Sequence, residues 1–142
     1  FCLLGDGEIQ EGQVWEAARN AARQCLGSLT AIIDRNGLKA MDTSFCGDEL
    51  LTIPEKWHAF GWRVREIEGH DMQALVDALD WATNGPPAQP SMIVAHTIKG
   101  KGIPFIEGKP EFHNASLSEE EIDRALAGIG AKEPNITEEA HV

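Results

Sequence analysis

The chain opens on an unbroken apolar run, Phe1-Cys2-Leu3-Leu4, that stops at Gly5-Asp6-Gly7. Continuous rather than alternating apolar character marks a strand buried on both faces, as in parallel sheets. From Glu11 the spacing changes, and Val14, Ala18, Ala21 and Cys25 recur at helical intervals. A strand that turns through two glycines into a helix leaves backbone N–H groups without partners, which suits a phosphate. Asp6 at that point would repel a phosphate unless a divalent cation stood between them. A second strand, Leu29 to Ile33, leads through Asp34-Arg35 to Asn36-Gly37 and offers a further oxygen donor in Asn36. Mg²⁺ takes few protein oxygens beside those of a phosphate, so the pair points to a metal–phosphate site. The competing reading of Asp6 is a helix N-cap, a position Asp fills well.

Further along, strand and helix patterns alternate. The helix from Glu11 to Cys25 carries an alanine-rich face suited to close packing on a sheet, and Gly27 fits a C-terminal stop. Lys39 to Leu51 is polar and irregular, as expected of a loop beside a ligand. Pro54 opens a short helix to Phe60, and Trp62 to Ile67 alternates as a strand. Asp71 is placed to cap a helix through Met72, Leu75, Val76, Leu79 and Ala82, closed by Gly85-Pro86-Pro87. Ser91 to Ala95 is a fourth strand, and Lys99 to Asn114 a glycine-rich loop. Ser118 and Glu121 form a capping-box pattern before a last amphipathic helix. Residues 1–127 read as one domain and 128–142 as a frayed tail. The alternation predicts an α/β fold, a three-layer parallel sheet covered on both faces with right-handed crossovers. Asp6, Asn36, His70 and His96 would each lie just past the carboxyl end of a strand. Open α/β sheets bind ligands at that edge.

A net charge of −11 argues against nucleic acid or an anionic membrane as partner. Any bound diphosphate must then rely on metal, helix dipole and local lysines. Cys2, Cys25 and Cys46 form no C-x-x-C pair, which fits a reduced, cytoplasmic setting and a core-packing role. No segment approaches membrane-spanning length, no signal sequence appears, and no His/Cys grouping has zinc spacing. The four tryptophans, Trp15, Trp57, Trp62 and Trp81, read as core or interface, His58 as a helix-face residue and His70 as an N-terminal helix residue. Opening inside a strand, the chain reads as a fragment incomplete at its amino end.

Gly5-Asp6-Gly7 followed by Asn36 resembles the GDG…N motif of thiamine-diphosphate enzymes. The segments GDGEIQEGQVWEAARNAA, IIDRNGL, EKWHAFGWRVREIEGHD and HTIKGKGIPFIE are similar, in order, to transketolases, above all the split kind whose halves are separate chains. The resemblance implies the thiamine-diphosphate-binding fold and a transferase that moves a two-carbon ketol unit between sugar phosphates in the pentose phosphate pathway. It implies that Asp6, Asn36 and the main-chain carbonyl of Leu38 hold Mg²⁺ against thiamine diphosphate, with Gly5 and Gly7 at the diphosphate. Lys99 would contact the cofactor, with Lys101 a weaker candidate. His113 would face substrate as the catalytic residue of this half, although the family's Trp-His-Gly run reads Phe112-His113-Asn114 here. Glu11 either complements the helix dipole or joins a carboxylate network at a dimer interface. The glutamate that activates the cofactor comes from the other half in the family. The implied partner is therefore a pyrimidine-binding transketolase domain or subunit, in a dimer or heterotetramer, and the isolated chain is expected to be inactive. The alternatives are a non-catalytic cofactor-binding remnant, a deoxyxylulose-phosphate synthase and a 2-oxo-acid dehydrogenase E1 α subunit.

Overall fold

The computed structural model describes residues 1–38 and 52–129. Its elements are β1 (Cys2–Gly5), α1 (Gly12–Arg23), β2 (Thr30–Arg35), α2 (Ile53–Ala59), β3 (Arg63–Glu68), α3 (Met72–Thr83), β4 (Ser91–His96) and α4 (Glu119–Gly128). Short 3-10 turns lie at Glu8–Gln10 and Pro110–Phe112. All strand pairs are parallel, in the order β1-β2-β4-β3. The register sets Gly5 beside Asp34, Asp34 beside Ala95, and Glu68 beside His96. Every carboxyl end therefore opens on one edge, as the alternating pattern predicts.

Helices cover both faces, giving the expected three layers. On one face Ala18 and Ala21 of α1 and Trp57 of α2 pack on Leu4, Ile33, Met92 and Val94. Alanine leaves room for the helix to approach the sheet, while each fully buried aliphatic chain contributes about 1.5–3 kcal/mol. Trp57 and Trp62 are core residues, T-shaped with centroids 4.8 Å apart. Trp62 Nε1 donates to the Ala18 carbonyl at 2.8 Å. Trp15 stacks on Phe60 at 5.6 Å and donates from Nε1 to the Ile9 carbonyl. On the other face Ala78 and Ala82 of α3 meet Ile67 and Ile93. That cover stops short of β1, where Leu3 is 70% exposed and Phe1 75%. No helix among the described residues is long and apolar enough to cross a membrane.

Several expectations are corrected. The stop of α1 is Cys25, not Gly27: Cys25 takes the left-handed conformation (φ 56°). Leu26 N–H donates to the Ala21 carbonyl and Cys25 N–H to that of Ala22, both at 3.1 Å, the bond pair of a Schellman motif. Gly27 is small for a different reason, since a Cβ there would lie 2.2 Å from the Pro87 carbonyl oxygen. Cys2 and Cys25 are exposed rather than packed, one on the edge strand and one in the helix-ending turn. Helix α2 starts at Ile53 behind a Thr52–Glu55 capping box, with Pro54 inside its first turn. The loop expected from Lys39 to Leu51, with Cys46, and the tail beyond Ile129 lie outside the described residues.

Candidate functional site

The path from β1 to α1 is less direct than the glycines suggest. A 3-10 turn intervenes, with Gln10 N–H donating to the Gly7 carbonyl and Glu11 N–H to that of Glu8. Gly5 N–H is taken by Glu8 Oε2 at 3.2 Å. The N–H of Gly7 has no acceptor among the described residues. Asp6 caps neither helical segment: Gly7 and Glu11 occupy those positions, and neither makes a side-chain cap bond. Its backbone N–H instead donates to the Asp34 carbonyl at 3.3 Å, carrying the β1–β2 pairing one residue past the strand. Its side chain reaches across to the turn after β2, where Oδ2 accepts the Gly37 N–H at 2.7 Å. Gly37 supplies the left-handed turn (φ 72°) that aims this N–H at Asp6.

Asn36 lies in the same turn. Its Nδ2 donates to Asp34 Oδ2 at 3.0 Å, and its Oδ1 accepts the Leu38 N–H at 2.9 Å. The residues that could hold a cation here, through the Asp6 carboxylate, Asn36 Oδ1 and the Leu38 carbonyl, offer only oxygen, the chemistry of a hard cation such as Mg²⁺. The fit shows at Asp6. It is only 6% exposed, accepts one neutral N–H, and has no Lys, Arg or His partner among the described residues. A carboxylate so buried needs a counter-charge. A Cβ built on Gly5 or Gly37 would meet nothing within 4 Å, so there is room beside these backbones for a ligand. Among the described residues no three His, Cys, Asp or Glu side chains cluster to hold a metal, at this edge or away from it, so a cation here would rest on amide and carbonyl oxygens beside one carboxylate.

The remaining candidates flank this group. Lys99 leaves β4 half-buried, its carbonyl accepting the Gly108 N–H at 2.9 Å, and pairs with no carboxylate among the described residues. Lys101 is engaged with Glu107 at 3.0 Å and braces the loop. The Lys101 hydrogen bond, then the Gly102 N–H, hold the Glu107 carboxyl below its ordinary pKa. His113 follows the second 3-10 turn, half-buried, with Nδ1 3.3 Å from Asn114 Oδ1, and no hydrogen bond joins it to Asp6 or Asn36. Glu11 is exposed at the start of α1. His70 is not a helix residue, because it precedes the cap Asp71; its Nε2 accepts the Ile98 N–H at 2.8 Å and ties the β3 exit to the β4 exit. His96 Nε2 lies 2.8 Å from Glu66. Two residues at this edge carried no expectation. Asp34 grips Asn36, and the Thr97 hydroxyl donates to Asp34 Oδ1. An acid two residues before Asn36 at a strand end was the available signal.

A family model described as the transketolase thiamine diphosphate binding domain matches residues 1–140. The chain belongs to that family. It is 42% identical over 128 residues to one subunit of an apulose-4-phosphate transketolase from Actinobacillus succinogenes, covering 89% of this chain and 45% of that protein. A 6-deoxy-6-sulfo-D-fructose transketolase subunit of a Clostridium species is 41% identical over 129 residues, covering 91% and 46%. The crystal structure of Campylobacter jejuni transketolase superposes with a TM-score of 0.81 at 33% identity, over 91% of this chain and 20% of that one. The chain thus spans less than half the length of these transketolase relatives.

Proposed function

We propose that the chain forms the diphosphate- and metal-binding half of a transketolase site, acting on sugar phosphates together with a pyrimidine-binding transketolase domain or subunit. The observation that carries this is the buried Asp6 carboxylate, anchored by Gly37 N–H beside Asn36 and Leu38. In this reading Asp6, Asn36 Oδ1 and the Leu38 carbonyl hold Mg²⁺. The N–H of Gly7, without an acceptor among the described residues, would be available to the diphosphate, and Gly5 leaves space for it. Lys99 adds positive charge locally, which a chain of net charge −11 does not supply globally. His113 faces the sugar substrate from the loop after β4. Thiamine diphosphate, when bound, supplies the carbon nucleophile and electron sink that transfer of a two-carbon ketol unit requires. This chain's residues orient and neutralise it; the activating glutamate belongs to the partner, in a dimer or heterotetramer in the cytoplasm.

The subunit names of the two relatives favour the split arrangement. The test is calorimetric titration of thiamine diphosphate into the complete assembly with Mg²⁺ or with chelator, followed by a donor screen. Mg²⁺-dependent binding and turnover of ketose phosphates are expected. Binding indifferent to chelation, or turnover of pyruvate alone, would overturn the reading.

A further inference from the structure

Asn36 carries its oxygen and nitrogen on one planar group, and only one orientation presents oxygen to a metal. Both orientations fill the same space, so packing alone does not choose between them. Its neighbours do. Asp34 Oδ2, an acceptor only, lies 3.0 Å from one end and demands the nitrogen. Leu38 N–H, a donor only, lies 2.9 Å from the other end and demands the oxygen. The Leu38 bond occupies one lone pair of Oδ1 and leaves the second for a ligand. Asp34 is in turn held from the far side. Thr97 Oγ1 donates to Asp34 Oδ1, and Thr97 N–H donates to the Arg35 carbonyl at 3.2 Å. The Thr97 side chain is itself confined, because a Cβ on Gly69 would fall 2.5 Å from its Cγ2.

We infer that Asp34, keyed by Thr97, is a positioning residue that fixes the amide of Asn36 with its oxygen toward the metal seat. The inference deepens the proposed function and rests on Asn36 being a metal ligand there. It joins the exits of β2 and β4, adjacent strands between which β3 intervenes in sequence, so the seat depends on the Thr97 end of the glycine-rich loop as well as on its own turn.

The experiment titrates Mg²⁺ against thiamine-diphosphate binding in the complete assembly for Asn36→Ala, Asp34→Ala, Thr97→Val and Thr97→Ser, with a thermal melt of each. Removing a group that orients a metal ligand typically costs roughly 10–100-fold in metal affinity. Asp34→Ala should fall in that range, Thr97→Val should weaken Mg²⁺ affinity in the same direction, and Thr97→Ser, which keeps the hydroxyl, should restore it. Excess Mg²⁺ should recover cofactor binding in Asp34→Ala, which a collapsed fold would not allow. If Asp34→Ala does not fold, the isosteric Thr97→Val against Thr97→Ser decides alone. Unchanged Mg²⁺ affinity in Thr97→Val and Asp34→Ala, with Asn36→Ala impaired, overturns the positioning role only. Unchanged affinity in Asn36→Ala removes the metal reading of the site and this inference with it.

Discussion

Asp6 joins two strand ends and offers a buried negative charge, so its removal tests the centre of the site. Asp6→Ala deletes both the acceptor for Gly37 N–H and the charge. Losses beyond the first ligand shell already cost roughly 10–100-fold in metal affinity or activity, so Mg²⁺-dependent cofactor binding should fall at least that far. Calorimetry on the variant checks it, and unchanged affinity would remove the site. His113 is a sharper case, because no hydrogen bond ties it to Asp6 or Asn36. His113→Ala should leave cofactor affinity intact and lower ketol transfer by about 10²–10⁴-fold if the imidazole acts as acid or base on substrate. Steady-state rates close to wild type would make it a plain loop residue. Cys25 gives a prediction of stability alone. A non-glycine residue in the left-handed region costs about 1–2 kcal/mol, and Cys25 bears this strain at φ 56°. Cys25→Gly should relieve part of it, offset by the extra freedom glycine gives the unfolded state. A raised melting temperature is expected, and a lowered one would show that the freedom glycine gives the unfolded state outweighs the strain at this position.

At the scale of elements, two capping boxes make the helix ends sensitive to acid. Thr52 N–H donates to the Glu55 carboxylate at 2.6 Å, and Ser118 N–H to that of Glu121 at 2.9 Å. The backbone N–H of the cap, then the cap hydroxyl, hold each glutamate carboxyl below its ordinary pKa. A carboxyl lowered in the folded state contributes its stabilisation fully above the unfolded value and loses it as pH falls through the folded value. Protection of the first-turn amides of α2 and α4, taken relative to the intrinsic exchange rate at each pH, should therefore fall below the ordinary glutamate range, earlier than in the core strands; protection that is flat with pH there would contradict it. The α4 box was legible as Ser118 with Glu121. The α2 box was not, because Pro54 drew the helix start one residue late. Strands β1, β2 and β4 were legible because a continuous apolar run has few other uses. The end of α1 misled because glycine is the usual left-handed residue, while this chain places Cys25 there and uses Gly27 for the Pro87 contact. Asp6 and Asn36 stood out by their places at strand ends. Thr97 and Asp34 did not, since 63 residues separate them and the bond exists only because β2 and β4 are neighbours.

Across the whole molecule, cover is uneven. Strand β1 is the sheet edge, its second face shows Leu3 and Phe1 mostly exposed, and an apolar hollow of about 310 Å³ beside it is lined by Leu4, Val14, Ala31 and Trp57. Unprotected edges and contiguous apolar patches favour association. The net charge of −11 opposes it, because like-charged copies repel until salt screens them. These effects together predict a chain that self-associates alone, more strongly as salt rises. Sedimentation velocity should show species heavier than the 15.5 kDa monomer. Leu3→Lys, which sets a charge on the edge strand, should shift the distribution toward monomer. The same preparation should show no ketol transfer at any Mg²⁺ or cofactor concentration, because in the proposed reading Asp6, Asn36, Leu38 and Lys99 seat only the diphosphate end of the cofactor and the activating glutamate belongs to the partner. Adding a pyrimidine-binding partner should bring activity and suppress self-association together in the complete assembly, since both follow from covering the same surfaces. A stable monomer that turns over ketose phosphate unaided would refute the half-site assignment outright.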